Sequence, residues 1–433
     1  MKRQLVEHNW DQVDLTRRLC NALDIAERAV RALALCGYKN SDDDAASVEA
    51  EKVVSETGLL LLACGPVARD HAEVGGQLEN VAKLLIPHAR NERVALGLCM
   101  EPGRARDYAF AHACLSRLGY PDPEMDRLLQ FTLEAEVASG RERLPHRVLE
   151  QEWLRRVWDP AKGCIGDDAG LPGRSMLGRS IDVFAGSRDD IYAFTHALMY
   201  VTDLGERSVR LPRSRAEILG GAEDALARCL DQQDYDLCGE LLLTWPYLAK
   251  RWSAAATFAF SVVARVEDEA GFLPTPVTRL DRYHSLSGEE RSRYAIATAY
   301  HTAYVMGLVC AAALRPGKAP PVVITCRRRA DRAQTLLEFI DSDGTRAHWR
   351  DDMTKIDPGA RDALVPMLLT IALRRALERR NLQRVRSLLE CALRYGLANL
   401  PAARQAAALL RRLVLIAPLS PITCELRRNA KAE

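Results

Sequence analysis

Asp236, Cys238 and His301 are the residues of this chain whose types and spacing could hold one metal ion. A carboxylate, a thiolate and an imidazole form an acceptable zinc ligand set, and three protein ligands leave a fourth position open to substrate. Asp236 and Cys238 are two positions apart and in mid-helix would point to nearly opposite faces, so the spacing works only at a helix start or an irregular turn. The local sequence offers such a start. Asp231-Gln232-Gln233-Asp234-Tyr235-Asp236 is polar and suited to capping, and the apolar run begins only after Glu240. His301 lies in a stretch without Lys, Arg, Asp or Glu from Tyr294 to Leu314, apolar all round, where a buried imidazole needs a partner. Zinc bound there would keep a thiol deprotonated and supply a nucleophile at neutral pH.

A second histidine is in a related setting. Tyr192-Ala193-Phe194-Thr195-His196 follows a loop carrying Gly163-Cys164-Ile165-Gly166. Tyr300-His301-Thr302-Ala303-Tyr304 follows one carrying Gly271-Phe272-Leu273-Pro274. His196 takes, in the first unit, the place of His301 in the second, which puts it on the same side of a shared cavity as the candidate proton donor. Tyr192, Tyr200, Tyr300 and Tyr304 are the expected cavity-lining aromatics. Between the two units lies a third, over residues 241–248, opened by Asp236-Leu237-Cys238.

The elements that must position these residues read as helices almost throughout. Leu15, Leu19, Leu23, Ala26, Val30 and Leu33 show the spacing, and alternating runs are scarce apart from a possible extended piece at residues 320–325. Units that repeat at tens of residues, none able to bury its own apolar face, point to a stacked or closed helical array. The expected fold is all-α, an α/α toroid in which a ring of helical hairpins brings inner-helix ends around one cavity. Residues 151–433 are expected to form the toroid core with the zinc site. Residues 1–150 are a helical N-terminal part that either completes the ring or is appended to it.

The pattern Asp-x-Cys followed by Tyr-His-Thr-x-Tyr and a Gly-Leu, here Asp236, Cys238, Tyr300-His301-Thr302-Ala303-Tyr304 and Gly307-Leu308, resembles the zinc motif of the protein prenyltransferase β subunits. The resemblance covers residues 185–315 and implies an α/α toroid whose zinc binds a substrate cysteine as thiolate. It breaks down at the diphosphate cradle. The basic positions upstream of the aspartate read Leu230 and Gln233, and an acidic pair, Asp189 and Asp190, stands where the family has a diphosphate-binding histidine. A thiolate without a prenyl diphosphate needs another electrophile. Dehydroalanine or dehydrobutyrine in a peptide is one, the substrate of lanthionine cyclases, which are also zinc-bearing toroids. Their Cys-His-Gly signature is missing from this sequence, which implies a separate, stand-alone branch.

Bulk properties narrow the partners. Sixty Lys and Arg against 58 Asp and Glu leave a formal charge of +2, so no global field favours nucleic acid or an anionic membrane. The start of the chain breaks into acids and amides without an apolar run, and strongly apolar stretches such as residues 58–68 and 305–314 fall short of the roughly 20 residues of a membrane span, so none is expected. The twelve cysteines are scattered without CxxC pairs, as reduced packing thiols would be, so a cytosolic setting is expected. Asp42-Asp43-Asp44 resembles the aspartate cluster of class II terpene cyclases but precedes a helix start, where it reads as a solvated cap. The basic run from Arg327 to Arg332 reads as an exposed face able to receive an acidic leader peptide.

The function expected from these features is zinc-dependent activation of a cysteine thiolate for carbon–sulfur bond formation, thioether ring closure in a dehydrated precursor peptide that comes from other modifying enzymes. A prenyltransferase- or terpene-cyclase-like enzyme is the first alternative, favoured by arginines entering the cavity from elsewhere. A non-catalytic helical scaffold that binds a peptide on a concave surface is the second.

Overall fold

The computed structural model describes residues 10–33, 50–159, 170–249, 251–322, 324, 332–342 and 347–416. The acidic run 42–44, the loop at 163–166 and residues 327–331 of the basic run lie outside them. The fold is all-α, with no strand among the described residues. Of the extended piece expected at 320–325, residues 323 and 325 lie outside the described ones; the Trp10 backbone N–H donates to the Pro320 carbonyl at 2.9 Å, and Ile324 packs against the core.

The α-helices of eight residues or more are α1 (Gln12–Arg31), α2 (Ala50–Ala68), α3 (Ala72–Ala89), α4 (Glu92–Met100), α5 (Phe110–Arg117), α6 (Pro123–Leu133), α7 (Pro145–Trp158) and α8 (Arg188–Val201), then α9 (Arg215–Asp231), α10 (Tyr235–Leu242), α11 (Ala254–Ala270), α12 (Gly288–Ala313), α13 (Arg332–Asp341), α14 (Val365–Glu378), α15 (Leu382–Arg394) and α16 (Pro401–Ile416). Their ends follow from local chemistry. Asp11 caps α1 through the Asp14 N–H at 2.7 Å, and Ser187 and Ser214 form reciprocal capping boxes with Asp190 and Glu217 at the starts of α8 and α9. Asp190 is therefore a cap. Gly271 ends α11 with φ at +81°, a conformation that glycine adopts without the Cβ penalty.

Six helices contact one another in cyclic order: α2 packs on α5, α5 on α7, α7 on α8, α8 on α10, α10 on α12, and α12 again on α2. Residues of these helices, among them Glu56, Phe110, Arg147, His196, Glu240 and His301, line one cavity of about 550 Å³. A second depression is lined by Gly65, Leu118, Val157, Leu204 and Arg315, from the far ends of five of them. Helices α2, α5, α7, α8 and α12 thus run in the same direction, with their N-terminal ends towards the first cavity. α1 and α3 lie outside α2 and α12, and one core cluster runs from Leu15 to Ala406, so α1, α2, α3 and α5 share their core with the helices after residue 150, while α4 and α6 bury Val94, Leu98, Met125 and Leu129 in a smaller cluster of their own.

α12 is 26 residues long and apolar enough to cross a membrane by length and composition, but its apolar window is 78% buried in this fold. It packs on α1, α2 and α10. Behind α10, helices α9, α11 and α13–α16 form a further layer. A buried Asp231 at the end of α9 ties that helix to α14 and to Trp349, taking hydrogen bonds from Arg374, Arg375 and the Trp349 indole. Satisfied on both oxygens, this carboxylate fixes the layer's register.

Candidate metal centre

The site is built on α10. Gln233, with φ at +58°, reverses the chain after α9, and the Asp234 side chain then caps α10 by accepting the Leu237 N–H at 3.2 Å. The helix is regular from its first turn. Asp236 and Glu240, four apart, therefore share a face, while Cys238 between them faces away. Gly239 lets α10 approach α12 closely, since a Cβ there would lie 2.5 Å from Val305 Cγ1. This contact brings Glu240 up to His301.

The ligand atoms of Asp236, Glu240 and His301 lie within 4.8 Å of one another. His301 Nε2 is 3.2 Å from Asp236 Oδ1 and 3.9 Å from Glu240 Oε1, and its Nδ1 is 2.9 Å from Oε2 of Glu56, on α2. Three of these buried atoms, Glu56 Oε2, Asp236 Oδ1 and His301 Nδ1, have close neighbours but no aligned hydrogen bond. Ligands about 2.1 Å from a shared ion stand about 3.4 Å apart in a tetrahedron, so the 3.2 and 3.9 Å spacings suit a small divalent cation. Two carboxylates and one imidazole are a harder donor set than one that includes a thiolate.

Charge fills the same space without an ion. Burial works against a charged imidazole at His301, but the Glu56 and Asp236 carboxylates outweigh it and hold its pKa well above the usual value. Burial likewise opposes ionisation of Glu56 and Glu240. The histidines beside them, His301 for Glu56 and both His196 and His301 for Glu240, overcome it and lower both pKa values. These directions favour a charged imidazole among carboxylates, an arrangement in which a proton stands where a cation could bind.

Cys238 is not a member of the cluster. It is fully buried, and desolvation first, then the neighbouring Cys229, Asp234 and Asp236, push its thiol pKa well up. Glu240 stands where the thiolate was expected, because the helix start is regular and offers no turn that would bring positions 236 and 238 to one side.

His196 does face the cavity. Its ring stacks on Tyr192 with centroids 3.7 Å apart, and Nδ1 lies 3.1 Å from the Tyr192 carbonyl and 3.5 Å from Glu240 Oε2. A carbonyl oxygen can only accept, so the proton sits on Nδ1 and Nε2 is the atom left for a ligand. Glu240 is itself held by the Thr195 hydroxyl at 2.5 Å. His196 and His301 therefore flank the two oxygens of one carboxylate.

Tyr192 and Tyr200 line the cavity, the latter donating to Glu150 Oε1 at 2.6 Å. Tyr300 and Tyr304 are not among its lining residues. Tyr304 bonds Thr57 at 2.9 Å in the buried contact of α12 with α2, and Tyr300 is buried beside it, their rings 5.3 Å apart and edge to face. Their i, i+4 spacing puts them on a face of α12 that the neighbouring helices cover. Asp203 ends α8 in a left-handed turn and accepts the Trp153 indole N–H at 2.6 Å.

Glu56, Glu240 and Arg188 escaped the sequence reading, as did the basic residues Lys52, Arg104, Arg141, Arg143 and Arg147, which enter the cavity wall from before residue 150. Only Glu240 carried a local signal, its i, i+4 relation to Asp236.

The chain belongs to the family described as Domain of unknown function (DUF6895), which it matches over residues 19–311. That span contains every residue of the cluster. No curated protein and no solved structure matches it.

Proposed function

We propose that this DUF6895 protein is a metal-dependent α/α-toroid enzyme that forms carbon–sulfur bonds in a peptide. The observation that carries the reading is the convergence of Asp236, Glu240 and His301 on one buried point at a cavity wall, with Asp236 Oδ1 left without a donor. The cyclic helix contacts and the common direction of the inner helices support the toroid, and the cavity lies where inner-helix ends meet. Zinc is the first candidate ion, and the ligand set also suits other divalent metals.

A divalent cation bound there supplies the positive charge that keeps a substrate thiol deprotonated. The thiol comes from the peptide, since Cys238 is turned away. Its sulfur adds to the β-carbon of a dehydroalanine or dehydrobutyrine residue, the alkene π pair moves to the α-carbon, and that carbon takes a proton. His196 is placed to deliver it from Nε2, with Glu240 Oε2 3.5 Å from Nδ1 on the other side of the ring. The cavity of about 550 Å³ has room for a turn of peptide, and the Tyr192–His196 stack gives it one flat wall. The substrate is a dehydrated precursor peptide. The cysteines described as free agree with a reducing, cytosolic setting.

One observation favours a second reading, a prenyltransferase-like alkyl transfer with an anionic leaving group. Lys52, Arg104, Arg141, Arg143 and Arg147 bring positive charge to the cavity wall. Several are already engaged, Arg147 with both Glu150 oxygens at 3.0 Å and Arg104 with Glu101 at 3.1 Å. This places the alkyl transfer second.

The test is elemental analysis of protein purified without chelator, followed by incubation of the metal-loaded form with peptides bearing dehydroalanine and cysteine, read by thiol alkylation and mass spectrometry. Loss of the free thiol without change of mass supports the cyclase. Turnover of a prenyl diphosphate instead moves the assignment to the alkyl transfer. Failure to take up any divalent ion after reconstitution sinks both and leaves the peptide-binding scaffold.

A further inference from the structure

Arg188 opens α8 and reaches across to the start of α10. Its Nε donates to Asp234 Oδ2 at 2.9 Å, and its Nη2 donates to Asp236 Oδ2 at 2.5 Å and to Asp234 Oδ1 at 3.4 Å. Of the two Asp236 oxygens, one is thus taken by the guanidinium. The other, Oδ1, is turned inward, buried without a donor and 3.2 Å from His301 Nε2. Left to itself, an aspartate carboxylate rotates broadly about its last torsion. A planar fork anchored on two carboxylates removes that freedom in a way that a point charge on a flexible stem does not.

We propose that Arg188 is the positioning residue of the metal centre, holding Asp236 so that Oδ1 alone faces the ion beside Glu240 and His301. The inference rests on the metal reading above. Asp234 has a part in it. As the N-cap of α10 it is fixed to the helix, and it shares the Arg188 guanidinium with Asp236. The same Asp234 ties the orientation of Asp236 to the capped start of the helix that carries Glu240. Partners that orient metal ligands in this way affect affinity by about 10- to 100-fold.

The test compares wild type, Arg188→Gln and Arg188→Lys for Zn²⁺ affinity by chelator competition and for the ligand-field spectrum of bound Co²⁺, which reports coordination geometry. The glutamine variant is expected to bind Zn²⁺ at least tenfold more weakly with a changed Co²⁺ spectrum. The lysine variant is expected to regain part of the affinity without the wild-type spectrum. Wild-type affinity and spectrum in the glutamine variant overturn the proposal. If that variant loses its helical signal, the same result in the lysine variant overturns it. A wild type that binds neither ion overturns the metal reading and this inference with it, an outcome distinct from normal binding in every variant.

Discussion

His301 Nε2 faces Asp236 Oδ1 at 3.2 Å, yet the oxygen is buried and has no aligned donor. In a metal-free interior such a pair is costly unless charge compensates it. Here three carboxylates, Glu56, Asp236 and Glu240, surround the imidazole and raise its pKa, which favours the compensating charge. On the proposed reading the cluster would exchange the imidazole proton for a divalent cation, and each would offset part of the charge of the same acids, which links the cluster's stability to its proposed chemistry.

The ligand set separates cleanly by mutation. Cys238→Ala should keep the full metal content and cost about 1–3 kcal/mol in urea unfolding, as a small buried truncation does. Glu240→Gln and His301→Ala should each lose most of the metal while the helical signal persists. Elemental analysis of dialysed variants reads this directly, and metal lost in Cys238→Ala but kept in Glu240→Gln would return the thiolate to the centre.

Opposite pH trends are expected with and without the ion. The raised His301 pKa means that its ion pairs stabilise the metal-free fold fully below its usual 6.5 and fade as pH rises through the raised folded value. Glu56 and Glu240, held below their usual 4.5, contribute above that value and fade as pH falls through their lowered ones. The metal-free protein should therefore lose stability on the alkaline side, and metal affinity should climb over that same range as His301 gives up its proton. Thermal melts in chelator against pH, repeated for His301→Gln, check it. An unchanged alkaline slope in that variant would contradict the linkage.

The all-α fold was legible because apolar spacing recurs along the whole chain, and Asp236 and His301 because each stood in a marked context, the aspartate at a polar helix start and the histidine in an uncharged helix. Cys238 misled for a geometric reason. The Asp-x-Cys pairing required an irregular turn, whereas the αL residue Gln233 and the Asp234 cap complete the turn before α10, which is then regular at position 236. Glu56 and Arg188 left no trace in local sequence because their roles arise from contacts across helices, α2 to α12 and α8 to α10. Spacing along one helix carries no information about such pairs.

His196 has a role that can be separated from metal binding. Its Nδ1 is committed to the Tyr192 carbonyl and it touches the cluster only through Glu240. His196→Gln should leave metal content unchanged and slow thioether closure about 100- to 10,000-fold, the range of a lost general acid. Rates on a dehydrated peptide, measured at equal metal loading, decide it. An unimpaired rate would move the proton donor elsewhere in the cavity.

Gly307 belongs to the Gly-Leu pair that follows the histidine motif, and its constraint is packing. A Cβ there would lie 2.7 Å from the Ala22 Cβ and 2.9 Å from Leu60 Cδ1, so the glycine lets α12 press against α1 and α2 together. α2 carries Glu56, and the depth of this contact sets how near Glu56 comes to His301. In Gly307→Ala the Leu60 methyl can swing aside, whereas Ala22 can yield only by backbone movement. Overpacking costs of up to about 3 kcal/mol are offset in part by the roughly 1 kcal/mol by which alanine favours a helix over glycine. A net loss of about 1–2 kcal/mol is expected in urea unfolding. Ala22→Gly should recover part of it in the Gly307→Ala background while destabilising the wild type, so a double-mutant cycle gives a positive coupling. A Gly307→Ala variant as stable as wild type, with additive effects in the cycle, would show that the helices have room to part and that this contact does not hold Glu56 against His301.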